Sequence, residues 1–177
     1  MAKRVGVAQS SDFDAHVSAD YKVAHGIWTH AQSQFATTAK ARAYRSGNQE
    51  NLTSGSETTV QLNAESYDPG SNFNTGTYLF TAPVSGYYLI LAQITYVNIV
   101  ADKRYSTSIY IDSTLSSLSR MHSGLDDQLS IPASDILYVA AGSTIKLVAL
   151  QSSGANTVDI YGLENRTFLS VHLLSLP

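Results

Sequence analysis

Cysteine is absent from this 177-residue chain. Neither a disulfide nor a thiolate metal site can therefore hold the fold or carry chemistry, and stability must come from packing and assembly. Charge is also scarce. Asp, Glu, Lys and Arg make up 14% of the residues, against about 25% in an ordinary soluble domain, so part of the exterior is expected to be covered by partners. The eleven Lys and Arg are scattered and the net charge is -3. That leaves no basic field for nucleic acid. No segment is long and apolar enough for a membrane span, and insertion into a membrane is not expected. The opening MAKRVGVAQSSDFDAH starts positive but turns polar after Ala8, without the apolar stretch of a secretion signal. There is no Gly-x-Ser-x-Gly elbow, no metalloprotease helix, no collagen-like Gly-x-y run and no fixed-period repeat. An enzyme is not expected.

What is present divides near Thr38 to Ala41. Residues 1–40 read as an arm or short stalk, and residues 41–177 as one head domain. In the arm, Val17, Tyr21, Ala24, Trp28, Ala31 and Phe35 follow a four-three spacing that suits a short heptad seam. Gly26 and the run Ile27, Trp28, Thr29 weaken a helix. A helical stalk and an extended arm docked on another surface both remain open. In either case Phe13, Tyr21, Trp28 and Phe35 need a surface to bury against, which makes them the expected attachment residues.

The head shows strand periodicity throughout. Short β-rich runs fall near 41–46, 58–65, 77–82, 86–97, 105–112, 115–122, 126–138, 144–151, 157–161 and 166–174, separated by turn residues such as Asp68-Pro69-Gly70, Ala141-Gly142 and Ser152-Ser153-Gly154. Helical periodicity between them is lacking, which excludes an α/β nucleotide-binding fold. In the run from Gly86 to Val97, Tyr88, Ile90, Ala92, Ile94 and Tyr96 share one face, while Tyr87, Leu89 and Leu91 share the other before it turns polar at Gln93 and Thr95. A strand apolar on both sides is expected to be covered twice, once by its own core and once by a neighbouring subunit.

Leu62, Asp68, Phe73, Phe80, Gly86, Tyr88, Ile90 and Ala92 stand at intervals that resemble the fingerprint of the complement C1q globular head, in the C1q and tumour necrosis factor superfamily. Asp68, Phe73, Phe80, Gly86 and Tyr88 fit the pattern as they stand, and Leu62, Ile90 and Ala92 replace family aromatics. ARAYRSG resembles the first strand of bacterial and viral C1q-like domains, LYVAAGSTIKLVAL the paired late strands, and TFLSVHLL the closing strand. The resemblance implies an all-β, ten-stranded jelly-roll sandwich that assembles as a homotrimer. It assigns core and trimer interface to Phe73, Phe80, Tyr87, Tyr88, Leu89, Ile90, Leu91, Phe168, Val171 and Leu173. Phe80 and Gly86 are expected to determine the fold, with Gly86 in a turn that a side chain would strain.

Candidate chemistry is thin. His16, His25 and His30 lie close enough in sequence for a metal cluster, but a tether commonly carries solvated histidines, and His122 and His172 read as surface or interface side chains. No cofactor is expected. Calcium, which some C1q-like heads bind, would have to use Asp102, Asp126, Asp127 or Asp135, and these form no contiguous calcium loop. Asn51-Leu52-Thr53 and Asn165-Arg166-Thr167 match the glycosylation sequon, which matters only in a secreted chain.

Three functions fit a jelly roll. The first is a non-enzymatic virion protein of a bacteriophage, assembled in the host cytoplasm: a capsid decoration, head fibre or tail-fibre knob. Its arm would attach to a capsid or tail protein, and its head would stabilise the particle or bind a host-surface glycan or protein. The second is an extracellular bacterial adhesin or ligand-binding module, and the third an enzyme on the same scaffold. The missing signal segment and the missing collagen-like stalk favour the first. Receptor contacts are expected in the loops Asn98 to Arg104 and Ser152 to Asn156.

Overall fold

The run from Gly86 to Val97, apolar on alternate residues without a break on one side, sits at the centre of the architecture. A computed structural model describes residues 38–124 and 127–177. In chain order the strands are β1 (Lys40–Tyr44), β2 (Thr58–Thr59), β3 (Ala64–Tyr67), β4 (Phe73–Asn74), β5 (Leu79–Thr81), β6 (Gly86–Val97), β7 (Arg104–Ile111), β8 (Thr114–His122), β9 (Gln128–Val139), β10 (Thr144–Gln151), β11 (Asp159–Ile160) and β12 (Phe168–Ser175). They form two antiparallel six-stranded sheets packed as a sandwich. In the first sheet β6 pairs along its whole length with β9 on one edge; β12 and then β11 follow on the other, and β1 and β3 extend the sheet beyond β12. In the second, β10 pairs with β7, which pairs with β8, while β5 and β2 share the far edge of β10 and β4 lies beyond β5.

The strand positions read from the sequence match these elements closely, with two differences that make twelve strands of the expected ten: the short β4, paired with β5, answers to none of the expected runs, and one expected run is split. The run expected as a single strand over 58–65 is divided: β2 pairs with β10 in the second sheet and β3 with β1 in the first. Between them Val60 and Leu62 are fully buried. The chain crosses from one sheet to the other there, and the two side chains that alternate along it plug the edge of the sandwich.

The core fills with the inward face of every long strand: Tyr88, Ile90, Ile94 and Tyr96 of β6, Ile131 of β9, Tyr105 and Ile109 of β7, and Ile145 and Leu147 of β10. Three tyrosines among them must find partners for their hydroxyls. Tyr96 donates to the Ser106 carbonyl at 2.6 Å and Tyr88 to the Val84 carbonyl at 2.7 Å. The Tyr105 hydroxyl accepts from the Val100 amide at 2.8 Å and donates to the Val100 carbonyl at 3.2 Å. Burial pushes the Tyr96 phenol well above its ordinary range, so it stays a neutral donor.

The fingerprint positions acquire mechanical roles. Asp68 accepts from the Asn72 amide at 2.9 Å with one carboxylate oxygen and from the Phe73 amide at 2.7 Å with the other, which ties the Asp-Pro-Gly turn to the start of β4. Phe73 stands opposite Phe80 across β4 and β5, and Phe80 meets Tyr88 edge-on with ring centroids 6.1 Å apart. Gly86 is needed for a reason other than the expected turn. It is the first residue of β6, and a Cβ there would lie 2.5 Å from Leu173 Cδ1 and 2.6 Å from the Ser175 carbonyl oxygen. The constraint is close approach of the closing strand.

Candidate functional site

The outward face of the first sheet carries the feature that the chain's own core does not account for. Because side chains alternate along β6, burying Tyr88, Ile90 and Ala92 turns Tyr87, Leu89 and Leu91 away from the core. Register then sets what stands beside them: Tyr87 lies opposite Tyr138, Leu89 opposite Ile136 and Leu91 opposite Ser134. Tyr87 and Tyr138 pack edge to face, with ring centroids 5.7 Å apart. Even so, Tyr138 is 50% exposed, Ile136 56% and Leu174 of β12 52%, in a chain that buries Phe80 and Tyr88 completely. These residues form one apolar patch over β9, β6 and the end of β12.

The same face ends where it becomes polar, and there the chain covers itself. Gln93 Nε2 donates to the Arg166 carbonyl at 2.9 Å, and the Thr95 hydroxyl, fully buried, donates to that carbonyl at 2.9 Å and lies 2.8 Å from the Ser130 hydroxyl. The turn before β12 thus folds over the polar half of the strand and leaves the apolar half open. Toward β1 and β3 the patch is bordered by polar groups that already hold one another. Arg42 donates to the Ser66 hydroxyl at 2.7 Å and to the Glu164 carbonyl at 2.8 Å, pairs with the Glu164 carboxylate at 3.2 Å, and stacks over Phe168 at 4.5 Å. Tyr67 shares a 2.6 Å hydrogen bond with His172 Nε2 and lies 3.1 Å from the Ser170 hydroxyl. An apolar centre with a satisfied polar rim is the layout of a protein interface.

The expected site residues separate into two groups. Phe73, Phe80, Tyr88, Ile90 and Val171 belong to the core, and Leu173 packs against it. Tyr87, Leu89, Leu91 and Phe168 face outward. Sequence reasoning missed Ile136, Tyr138 and Leu174. The alternation in Asp-Ile-Leu-Tyr-Val was visible, but only the β6–β9 register brings it beside Tyr87 and Leu89. The attachment residues Phe13, Tyr21, Trp28 and Phe35 lie outside the described residues, as do His16, His25, His30 and Asp126. Among the described residues no three His, Asp or Glu side chains come together as a metal site, and no helix is long and apolar enough to cross a membrane.

His172 gives this border a pH dependence. Burial, and then the charge of Lys40 opposite it, hold its imidazole below the usual range. A depressed histidine means that the folded chain binds fewer protons than the unfolded one once pH falls below about 6.5. Its contribution to stability is therefore complete above that pH and is lost progressively below it. The melting temperature should be lower at pH 5 than at pH 7.5, and His172→Gln should narrow the gap. An unchanged pH profile in the variant would assign the effect to other groups.

No family model matches the chain, and no curated protein matches it. Solved structures do. The globular domain of zebrafish complement 1qA superposes with a TM-score of 0.59 at 11% identity, covering 78% of this chain and 99% of that one. Eiger TNF from S. frugiperda gives 0.62 at 14% identity over 78% of this chain and 93% of its own. Murine APRIL gives 0.56 at 15% identity over 76% and 98%. Sheet order, register and these superpositions agree that the head of this chain has the C1q/TNF jelly-roll fold.

Proposed function

We propose that the chain is a non-enzymatic, homotrimeric head protein of a bacteriophage particle, in which residues 1–40 attach to a capsid or tail protein and the jelly roll projects outward to stabilise the particle or engage the host surface. The observation that carries self-association is the open apolar patch of Tyr87, Leu91, Ile136, Tyr138 and Leu174. A contiguous patch of this kind on a sheet face is a protein interaction surface, and identical copies about one axis would cover it symmetrically. The resemblance to C1q heads makes three the expected number. The overall charge content of 14% fits a surface partly occupied by neighbours.

What supports the particle assignment is the arm. Phe13, Tyr21, Trp28 and Phe35 each carry apolar area worth about 1.5–3 kcal/mol on burial. Deleting residues 1–34 should leave a folded trimeric head that no longer joins particles, and Trp28→Ala should weaken attachment without altering the melting of the head. Particle pull-down measures this directly. Undiminished incorporation of the deletion variant would mean that the head makes the contact.

A further inference from the structure

The second sheet carries a recess on its outward face that the apolar patch does not involve. It has a volume of about 140 Å³ and is lined by Arg104 and Ser106 of β7, Arg120 of β8, and Leu150 and Ser152 at the end of β10. Register explains the grouping. Leu150, Ser106 and Arg120 stand directly opposite one another across β10, β7 and β8. Arg104, two residues before Ser106 and on the same face, is the diagonal neighbour of Arg120, about 7–8 Å away along the sheet, within reach of such long side chains.

The charges and hydrogen bonds here are incomplete. Among the described residues the single ion pair joins Arg42 to Glu164, so neither Arg104 nor Arg120 has an acidic partner. Ser106 is 1% exposed, and its hydroxyl is buried without a hydrogen-bond partner, although its carbonyl is occupied by Tyr96. Both arginines are exposed and can be solvated, whereas a buried hydroxyl without a partner is unfavourable unless something else completes it, and Ser106 is the group left incomplete. The two loops expected to contact a receptor also meet at this place, where the Ser152 amide donates to the Arg104 carbonyl at 2.9 Å.

We propose that this recess binds a small oxyanion, a carboxylate or sulfate group, held by the guanidiniums of Arg104 and Arg120 and by a hydrogen bond donated from the Ser106 hydroxyl. Planar guanidinium forks match the oxygens of such groups. The group is either borne on an acidic saccharide or free as an inorganic anion. The site lies on the sheet opposite the apolar patch, so it stands whether or not the chain is a trimer.

Calorimetric titration of the full chain in about 0.15 M chloride, the ionic strength at which exposed charges are already well screened, tests this with sodium sulfate, glucuronate and neutral glucose. Saturable binding of sulfate and glucuronate is expected, with none of glucose. Arg104→Gln and Arg120→Gln should each weaken it about tenfold or more, as loss of a hydrogen bond to a charged group does. Ser106→Ala should weaken binding by a smaller factor while leaving the melting temperature unchanged or higher, an opposition that a merely structural serine would not produce. Lys146→Gln, on the same sheet but away from the recess, should bind as the wild type does. Glucuronate binding about tenfold tighter than sulfate would identify a saccharide source, and equal affinities a free anion. The proposal is overturned by absence of saturable binding, by wild-type affinity in Ser106→Ala or in a variant that combines Arg104→Gln with Arg120→Gln, or by an equal loss in Lys146→Gln.

Discussion

Phe80→Ala is expected to lower the stability of the head by about 3–5 kcal/mol, which for a domain of this size is a fall in melting temperature on the order of 10 °C. Phe80 is completely buried, packs edge-on against Tyr88 and faces Phe73 across the β4–β5 pair. Truncation removes the transfer energy of a benzyl group and leaves a cavity that the flanking strands cannot close, because β5 is tied to β10 through Thr81 and Phe80. Gly86→Val should act by the opposite mechanism. Its Cβ would press on Leu173 and on the Ser175 carbonyl, so the end of β12 must shift or detach. Both variants should lose thermal stability while any oxyanion binding survives below the transition. A melting curve for Phe80→Ala that superimposes on the wild type would remove Phe80 from the core and with it the mechanical reading of the fingerprint.

The second large effect is expected at the apolar patch. The wild-type chain should scatter light at micromolar concentration as a particle of about three times its 19.1 kDa mass, and Tyr138→Asp or Ile136→Asp should return it to a monomer. Each of these side chains is worth about 1.5–3 kcal/mol when buried, and symmetry repeats the substitution in every copy. A carboxylate placed in the same desolvated spot adds its own penalty. The loss summed over three copies, on the order of 5–9 kcal/mol, lowers the association constant by a factor of about a thousand or more. Because Tyr138 and Ile136 point away from the core, the monomer should keep its β-sheet circular dichroism. Arg120→Asp, on the opposite sheet, should leave the mass unchanged. A wild-type chain that scatters as a monomer would refute self-association through this face, and the oxyanion site would still stand or fall on its own titration.

Much of the fold was legible because a strand writes its two faces into alternate residues. Tyr88, Ile90, Ala92, Ile94 and Tyr96 identify the core side of β6 without any partner, and Leu169, Val171 and Leu173 do so for β12. The fingerprint spacing predicted the jelly roll, since those intervals reflect distances between buried positions on successive strands. The second apolar face of β6 was also readable, and with it the expectation of a covering subunit. Alternation says nothing of pairing. That Ile136 and Tyr138 complete the patch, that Gly86 makes room for Leu173, and that the 58–65 run divides between two sheets all depend on which strand lies beside which. Residues that never approach one another along the chain meet only through that choice. The Arg104, Ser106 and Arg120 recess is the clearest case: two scattered arginines and one serine carry no motif, and only the register of β10, β7 and β8, with Ser106 buried between them, makes them a site.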